Sequence, residues 1–183
     1  MIHFILLVSA TSWFFGVFQA EVPFPDLPPD VTETAMLAPA NEPGERVIIT
    51  GTMFRADGKT PYAGLVMYLY QTDARGLYHN ADRNQQRPRL RGWVKTNTRG
   101  RYTIHTIKPG SYPGSRNPAH IHAIVRPPGE QGKWIDDFLF DGDPYLREQD
   151  VRRYANKGSF SCIVKMTKEQ DGTLRGERDI VVP

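Results

Sequence analysis

The sequence holds a single cysteine, Cys162, in 183 residues. No internal disulfide can form in any redox compartment, so the fold must rest on its apolar core. Cys162 lies in the stretch Phe160-Ser161-Cys162-Ile163-Val164 with no activating base among its neighbours, which reads as a buried, inert thiol. The excess of one sign of charge is also small, the net charge being +3. The basic segment 83–101 lacks stacked aromatic interleaving and any nucleic-acid motif. That argues against a nucleic-acid partner and for a solvated face. Long apolar runs are confined to residues 1–20, where 4–8 and 13–18 carry no Lys, Arg, Asp or Glu but are broken by Ser9, Thr11, Ser12 and Gly16. Such a run is a poor transmembrane span. It is expected to be a signal peptide cleaved after Ala20, with an uncleaved N-terminal anchor as the alternative. The mature protein is then expected to be secreted or periplasmic, with no stable membrane association.

Helix signals are sparse as well. Turn dipeptides recur at Asp57-Gly58, Arg75-Gly76, Arg99-Gly100, Pro109-Gly110, Pro113-Gly114, Pro128-Gly129, Asp141-Gly142 and Asp171-Gly172. Between them lie short runs rich in β-branched and aromatic residues, which predict strands over 47–54, 65–71, 92–96, 101–107, 120–126, 134–140, 160–165 and 174–182. Only 143–156 reads as helical. A Pro-rich extended arm is expected over 21–45, followed by one domain over 46–183. Strands at this spacing without alternating helices imply an all-β fold, a single-domain antiparallel β-sandwich with Pro/Gly-rich loops.

The chemistry-bearing segment is Pro118-Ala119-His120-Ile121-His122. Residues two apart on a strand share a face, so His120 and His122 project together while Ile121 points the other way. Two imidazoles suit zinc, copper, nickel or iron and do not choose among them, and a lone pair of this kind is commonly a surface or core feature. Tyrosine adds a hard oxygen donor, and Fe(III) is charged enough to draw a phenol with an ordinary pKa of about 10 into its phenolate form. Eight tyrosines are present, and spacing alone does not select a pair. Tyr68, Tyr70 and Tyr102 stand in apolar runs and read as half-buried strand residues.

The selection comes from a resemblance. Gly51-Thr52-Met53 with Asp57-Gly58, then Tyr70-Gln71-Thr72-Asp73-Ala74-Arg75-Gly76-Leu77-Tyr78, resembles the first block of the intradiol ring-cleavage dioxygenase family, which includes the catechol and protocatechuate enzymes. Leu90-Arg91-Gly92 with Thr96-Asn97-Thr98-Arg99-Gly100-Arg101-Tyr102 resembles the next. Thr106-Ile107-Lys108-Pro109-Gly110-Ser111-Tyr112-Pro113 and the His120-Ile121-His122 segment complete the set. The likeness covers roughly the middle half of the chain and is nearest to the small secreted members, because the long helical N-terminal segment of the catechol enzymes is missing. It implies a β-sandwich with non-haem Fe(3+) near one end, held by Tyr78, Tyr112, His120 and His122. It further implies a catechol-type substrate opened with O2 between its two hydroxyls to a muconic acid, no organic cofactor, and room for a homo-oligomer. By position Tyr112 is the ligand that leaves the iron and helps take a substrate proton.

One departure stands out. Where the better-known relatives place an arginine before Pro-Ala-His, this chain has Asn117, so Arg116 is the nearest candidate to steady negative charge on the substrate. A downstream position where the family often carries an amide falls at Asp136-Asp137, and an acid there is expected to disfavour carboxylated catechols. Two other readings are a secreted transthyretin-like binding module with a vestigial metal site, and a zinc hydrolase built on the histidine pair. The second lacks a glutamate in a general-base position and leaves the tyrosines unexplained.

Overall fold

A computed structural model describes residues 24–79 and 87–182, so the leader expected over residues 1–20 lies outside the described residues. In chain order the elements are β1 (Thr34–Met36), β2 (Arg46–Phe54), β3 (Val66–Gln71), β4 (Leu90–Lys95), β5 (Arg101–Ile107), β6 (His120–Arg126), β7 (Lys133–Trp134) and β8 (Phe138–Phe140). The helix α1 (Glu148–Tyr154) then runs into a 3-10 turn (Ala155–Phe160), followed by β9 (Ile163–Val164), β10 (Met166–Lys168), β11 (Leu174–Glu177) and β12 (Ile180–Val181).

The strands form two sheets. One has the order β1-β5-β2-β11-β10, with β12 also on β2; the other has the order β4-β3-β6-β8-β9, with β7 also on β6. Strict alternation makes β2 two-faced, with every second residue buried. Val47, Ile49 and Met53 from β2 meet Met67 and Leu69 from β3, Ile121, Ala123 and Val125 from β6, and Phe138 and Phe140 from β8 in one shared core. Burial of these side chains drives the two sheets together.

The pairing is mixed rather than purely antiparallel. The central pairs β2–β5, β3–β4 and β3–β6 are antiparallel, but β1–β5, β11–β2, β12–β2 and β8–β9 are parallel. Side-chain alternation is the same for both directions, and the parallel partners are linked by connections long enough to return the chain to the same end. The run expected over 134–140 is divided into β7 and β8, with Asp136 and Asp137 in the bend between them. The run over 174–182 is divided at Arg178, which is 3% exposed, and in 160–165 only Ile163 and Val164 are strand. Within the arm Thr34–Met36 pairs with β5, and Glu42 is buried against Arg89 with oxygen–nitrogen distances of 2.5 and 2.7 Å.

Candidate metal centre

Strand β6 sorts its residues by face. Ile121, Ala123 and Val125 enter the core, which turns His120 and His122 to the outer face of the second sheet. The start of the strand is pinned by Asp143, a buried carboxylate that accepts from the Ala119 amide at 3.1 Å and the Tyr145 amide at 2.9 Å. The Nδ1 of His120 lies 2.6 Å from the Pro118 carbonyl, and the Nδ1 of His122 lies 3.0 Å from Oδ1 of Asp137. A carbonyl and a carboxylate only accept, so both Nδ1 atoms carry the proton, and a ring with no second proton presents an Nε2 lone pair. Asp137 comes from the bend between β7 and β8.

The tyrosines arrive on two loops, Tyr78 after β3 and Tyr112 after β5. Two glycines let those loops touch. A Cβ on Gly76, whose φ is +82°, would lie 1.9 Å from the Ser111 carbonyl oxygen, and one on Gly110 would lie 2.6 Å from the Ala74 carbonyl oxygen and the Gly76 nitrogen. Between them the Gly110 amide donates to the Asp73 carbonyl at 2.9 Å, and the Thr72 hydroxyl donates to the Gly110 carbonyl at 2.7 Å. The Asp73 carboxylate folds the first loop by accepting from the Arg75 and Leu77 amides. Burial alone would raise that carboxyl, but the Leu77 amide and the Arg75 side chain and amide hold it below its ordinary value.

Four atoms therefore converge. The Tyr78 and Tyr112 hydroxyls are 2.5 Å apart, Tyr112 Oη is 3.0 Å from His120 Nε2 and 3.1 Å from His122 Nε2, and Tyr78 Oη is 2.9 Å from His122 Nε2. The two Nε2 atoms face one another at 3.1 Å. These five contacts have two phenolic protons between them, and the Nε2–Nε2 contact has none. Apposed lone pairs repel unless a cation lies between them. Bonds of about 2.0–2.2 Å to one ion would put neighbouring donors about 2.8–3.4 Å apart, close to the spacing seen. His120, His122 and Asp137 also form a three-residue cluster able to hold a metal, with ligand atoms within 4.8 Å of one another. Within it Asp137 stands behind His122, where a carboxylate orients an imidazole and raises its basicity.

The surroundings are aromatic and partly dry. Burial, with the Tyr112 hydroxyl next in effect, pushes the Tyr78 phenol well above its ordinary value, so a phenolate there needs a strong cation beside it. Tyr70 is directly across from His122 in the β3–β6 ladder, its ring 4.6 Å from the imidazole, and burial followed by Asp137 pushes it up to about 12. Tyr68 and Tyr102 are buried, and Tyr102 donates to the Arg178 carbonyl at 2.6 Å. Cys162 is buried, and burial raises its thiol. Arg116 and Asn117 are exposed on the loop before β6, and among the described residues no contact joins Arg116 to the four donors. It lines a cleft with Pro144, Tyr145, Leu146 and Arg147. Of the Asp136-Asp137 pair, expected to disfavour carboxylated catechols, Asp137 bonds to His122, a contact that depends on the bend between β7 and β8 and has no signal in the sequence.

The family model described as Dioxygenase matches residues 24–179. Catechol 1,2-dioxygenase 2 of Acinetobacter lwoffii is 29% identical over 128 residues, covering 61% of this chain and 46% of that protein. The protocatechuate 3,4-dioxygenase beta chain of Burkholderia cepacia is 29% identical over 153 residues, covering 76% and 65%. The chain thus spans about half to two thirds of the length of these curated relatives. Among solved structures, the dioxygenase domain of a dioxygenase carbohydrate-binding protein fusion from Streptomyces sp. SirexAA-E superimposes with a TM-score of 0.64 at 23% identity, covering 88% of this chain and 95% of that one. That likeness concerns the fold.

Proposed function

Because the chain belongs to the intradiol-type ring-cleavage dioxygenase family, we propose that it is a non-haem Fe(III) enzyme that opens catechol-type rings between the two hydroxyls with O2, giving muconic acids. The observation that carries this reading is the convergence of Tyr78, Tyr112, His120 and His122 on one point with too few protons to bridge them. The donor chemistry favours Fe(III): two phenolates and the Asp137 carboxylate together balance three positive charges, whereas a divalent ion would leave the site anionic. Bound there, Fe(III) would act as the Lewis acid and electron acceptor that makes an electron-rich diol reactive toward O2.

The residues divide the remaining work. Tyr112 touches the other three donors, and in this reading it is the ligand that withdraws and accepts a proton from a substrate hydroxyl at its Oη. His122 is held from behind by Asp137, and His120 by the Pro118 carbonyl, so both imidazoles stay in place during that exchange. Tyr78 keeps its place through the Asp73 turn. The loop cation Arg116 belongs to this reading as the group that steadies negative charge on the diol, and Arg116→Ala is expected to lower turnover more than iron content. The apolar run over residues 1–20, read as a cleavable leader, makes export part of the same proposal, checked by N-terminal sequencing of protein recovered outside the cell.

The direct test is the visible spectrum of protein purified from iron-replete medium, together with oxygen uptake on catechol. Phenolate-to-iron charge transfer should make it wine-red, with a muconic acid as product. A colourless protein filled with zinc and inactive on catechols would refute this function and return the binding module to first place.

A further inference from the structure

Most large apolar side chains on this fold are buried, but Trp134 is 52% exposed. Its position is not incidental. In the β6–β7 ladder Trp134 pairs with Ile124, two residues from His122 and on the same outward face of the strand. The indole centroid is 6.2 Å from the His122 imidazole with an interplanar angle of 75°, and 6.4 Å from the Tyr70 ring at 68°. The Tyr70 ring in turn lies 4.6 Å from His122. The indole thus stands nearly upright against His122, one of the four donors, and against Tyr70, which borders them, and much of its surface remains open to solvent. The open part of the indole offers an aromatic face beside the donor cluster, against which a ligand ring can stack or pack edge-on. Asp137, bonded to His122 on the same rim, sets the electrostatic character of the neighbourhood and turns away anionic substituents.

We propose that Trp134, with Tyr70 behind it, forms an aryl subsite, and that this chain prefers catechols carrying a second, uncharged aromatic ring. The diol ring takes the place beside Tyr78, Tyr112, His120 and His122. The attached ring extends along the outer face of the second sheet and stacks on the indole. This inference rests on the ring-cleavage reading above and adds to it the class of substrate.

Anaerobic titration of the iron-loaded protein with 4-phenylcatechol and with catechol, followed by the change in the visible charge-transfer band, measures both affinities without turnover. The natural protein should bind 4-phenylcatechol about 10-fold more tightly, as expected for one aromatic contact with its buried area. Trp134→Ala should bring the ratio of the two Kd values close to one, and Trp134→Phe should keep most of it. A natural ratio near one, or a ratio unchanged in Trp134→Ala, would overturn the aryl subsite while leaving the ring-cleavage reading in place. No spectral response to either diol would overturn both.

Discussion

Replacing Gly110 by alanine probes whether the two tyrosine loops are as tightly engaged as the geometry indicates. The added Cβ would lie 2.6 Å from both the Ala74 carbonyl oxygen and the Gly76 nitrogen, and ordinary contact begins near 3.4 Å, so one loop must retreat by about 0.8 Å. All the close neighbours are backbone, and the Gly110 amide and carbonyl are tied to Asp73 and Thr72, so no flexible side chain can absorb the shift. Overpacking of this kind costs about 1–3 kcal/mol. Tyr112 follows two residues later, and metal–ligand distances tolerate only about 0.2 Å. A displacement near 1 Å at a reactive centre can cost about 100-fold in rate. Gly110→Ala should therefore lose most of its iron and about 100-fold in oxygen uptake on catechol, and its urea midpoint should fall in step with the packing cost. Natural iron content together with turnover within two-fold of the unmodified protein would refute the reasoning.

Three further outcomes are expected. Tyr78→Ala and His122→Ala should lose iron, whereas Tyr112→Phe should keep part of its iron and colour yet lose turnover, measured by metal analysis beside oxygen uptake. Asp137→Asn should weaken iron binding about 10–100-fold, because the amide cannot hold the His122 N–H as a charged acceptor does; competition with a chelator of known affinity reads this directly. The Arg89 hydrogen bond holds the Glu42 carboxyl below its ordinary value of 4.5, so the stabilisation it contributes is complete above about pH 4.5 and is lost as the pH falls through the lower folded value. Glu42→Gln should accordingly cost about 1.5–3 kcal/mol at pH 7, with the difference from the natural protein vanishing at acid pH in denaturation curves recorded across that range.

The middle of the fold was readable because its strands are long and two-faced. Over β2, and over β6 with its His-Ile-His alternation, a single face of apolar residues specifies both the strand and the side each residue takes. Short elements carry no such signal. Thr34–Met36 has three residues and joins β5, a partner about seventy positions away in sequence, so neither period nor propensity marks it. The direction of pairing was equally hidden, since alternation is blind to it and only the three-dimensional return of the chain decides it. At the site, the sequence placed the histidines on one strand and, through resemblance, the two tyrosines beside them. What it did not convey was the support behind them: Asp137 on His122, the Pro118 carbonyl on His120, Asp143 on the Ala119 amide and the Gly76–Gly110 contact. Each joins segments that are separate in sequence, or depends on a loop conformation that tertiary contacts impose.

The four donors come from three segments, with 34 positions between the two tyrosines and 44 between Tyr78 and His122. An ion bound by all of them would close these loops covalently in effect, giving a chain with one cysteine the kind of cross-link it cannot make through sulfur. Held at 100 times its Kd, such an ion would add about 2.7 kcal/mol to the folding free energy. The lifetime of the protein would then follow the local iron supply, and the loops that carry Tyr78 and Tyr112 would be the first cut by proteases where iron is scarce.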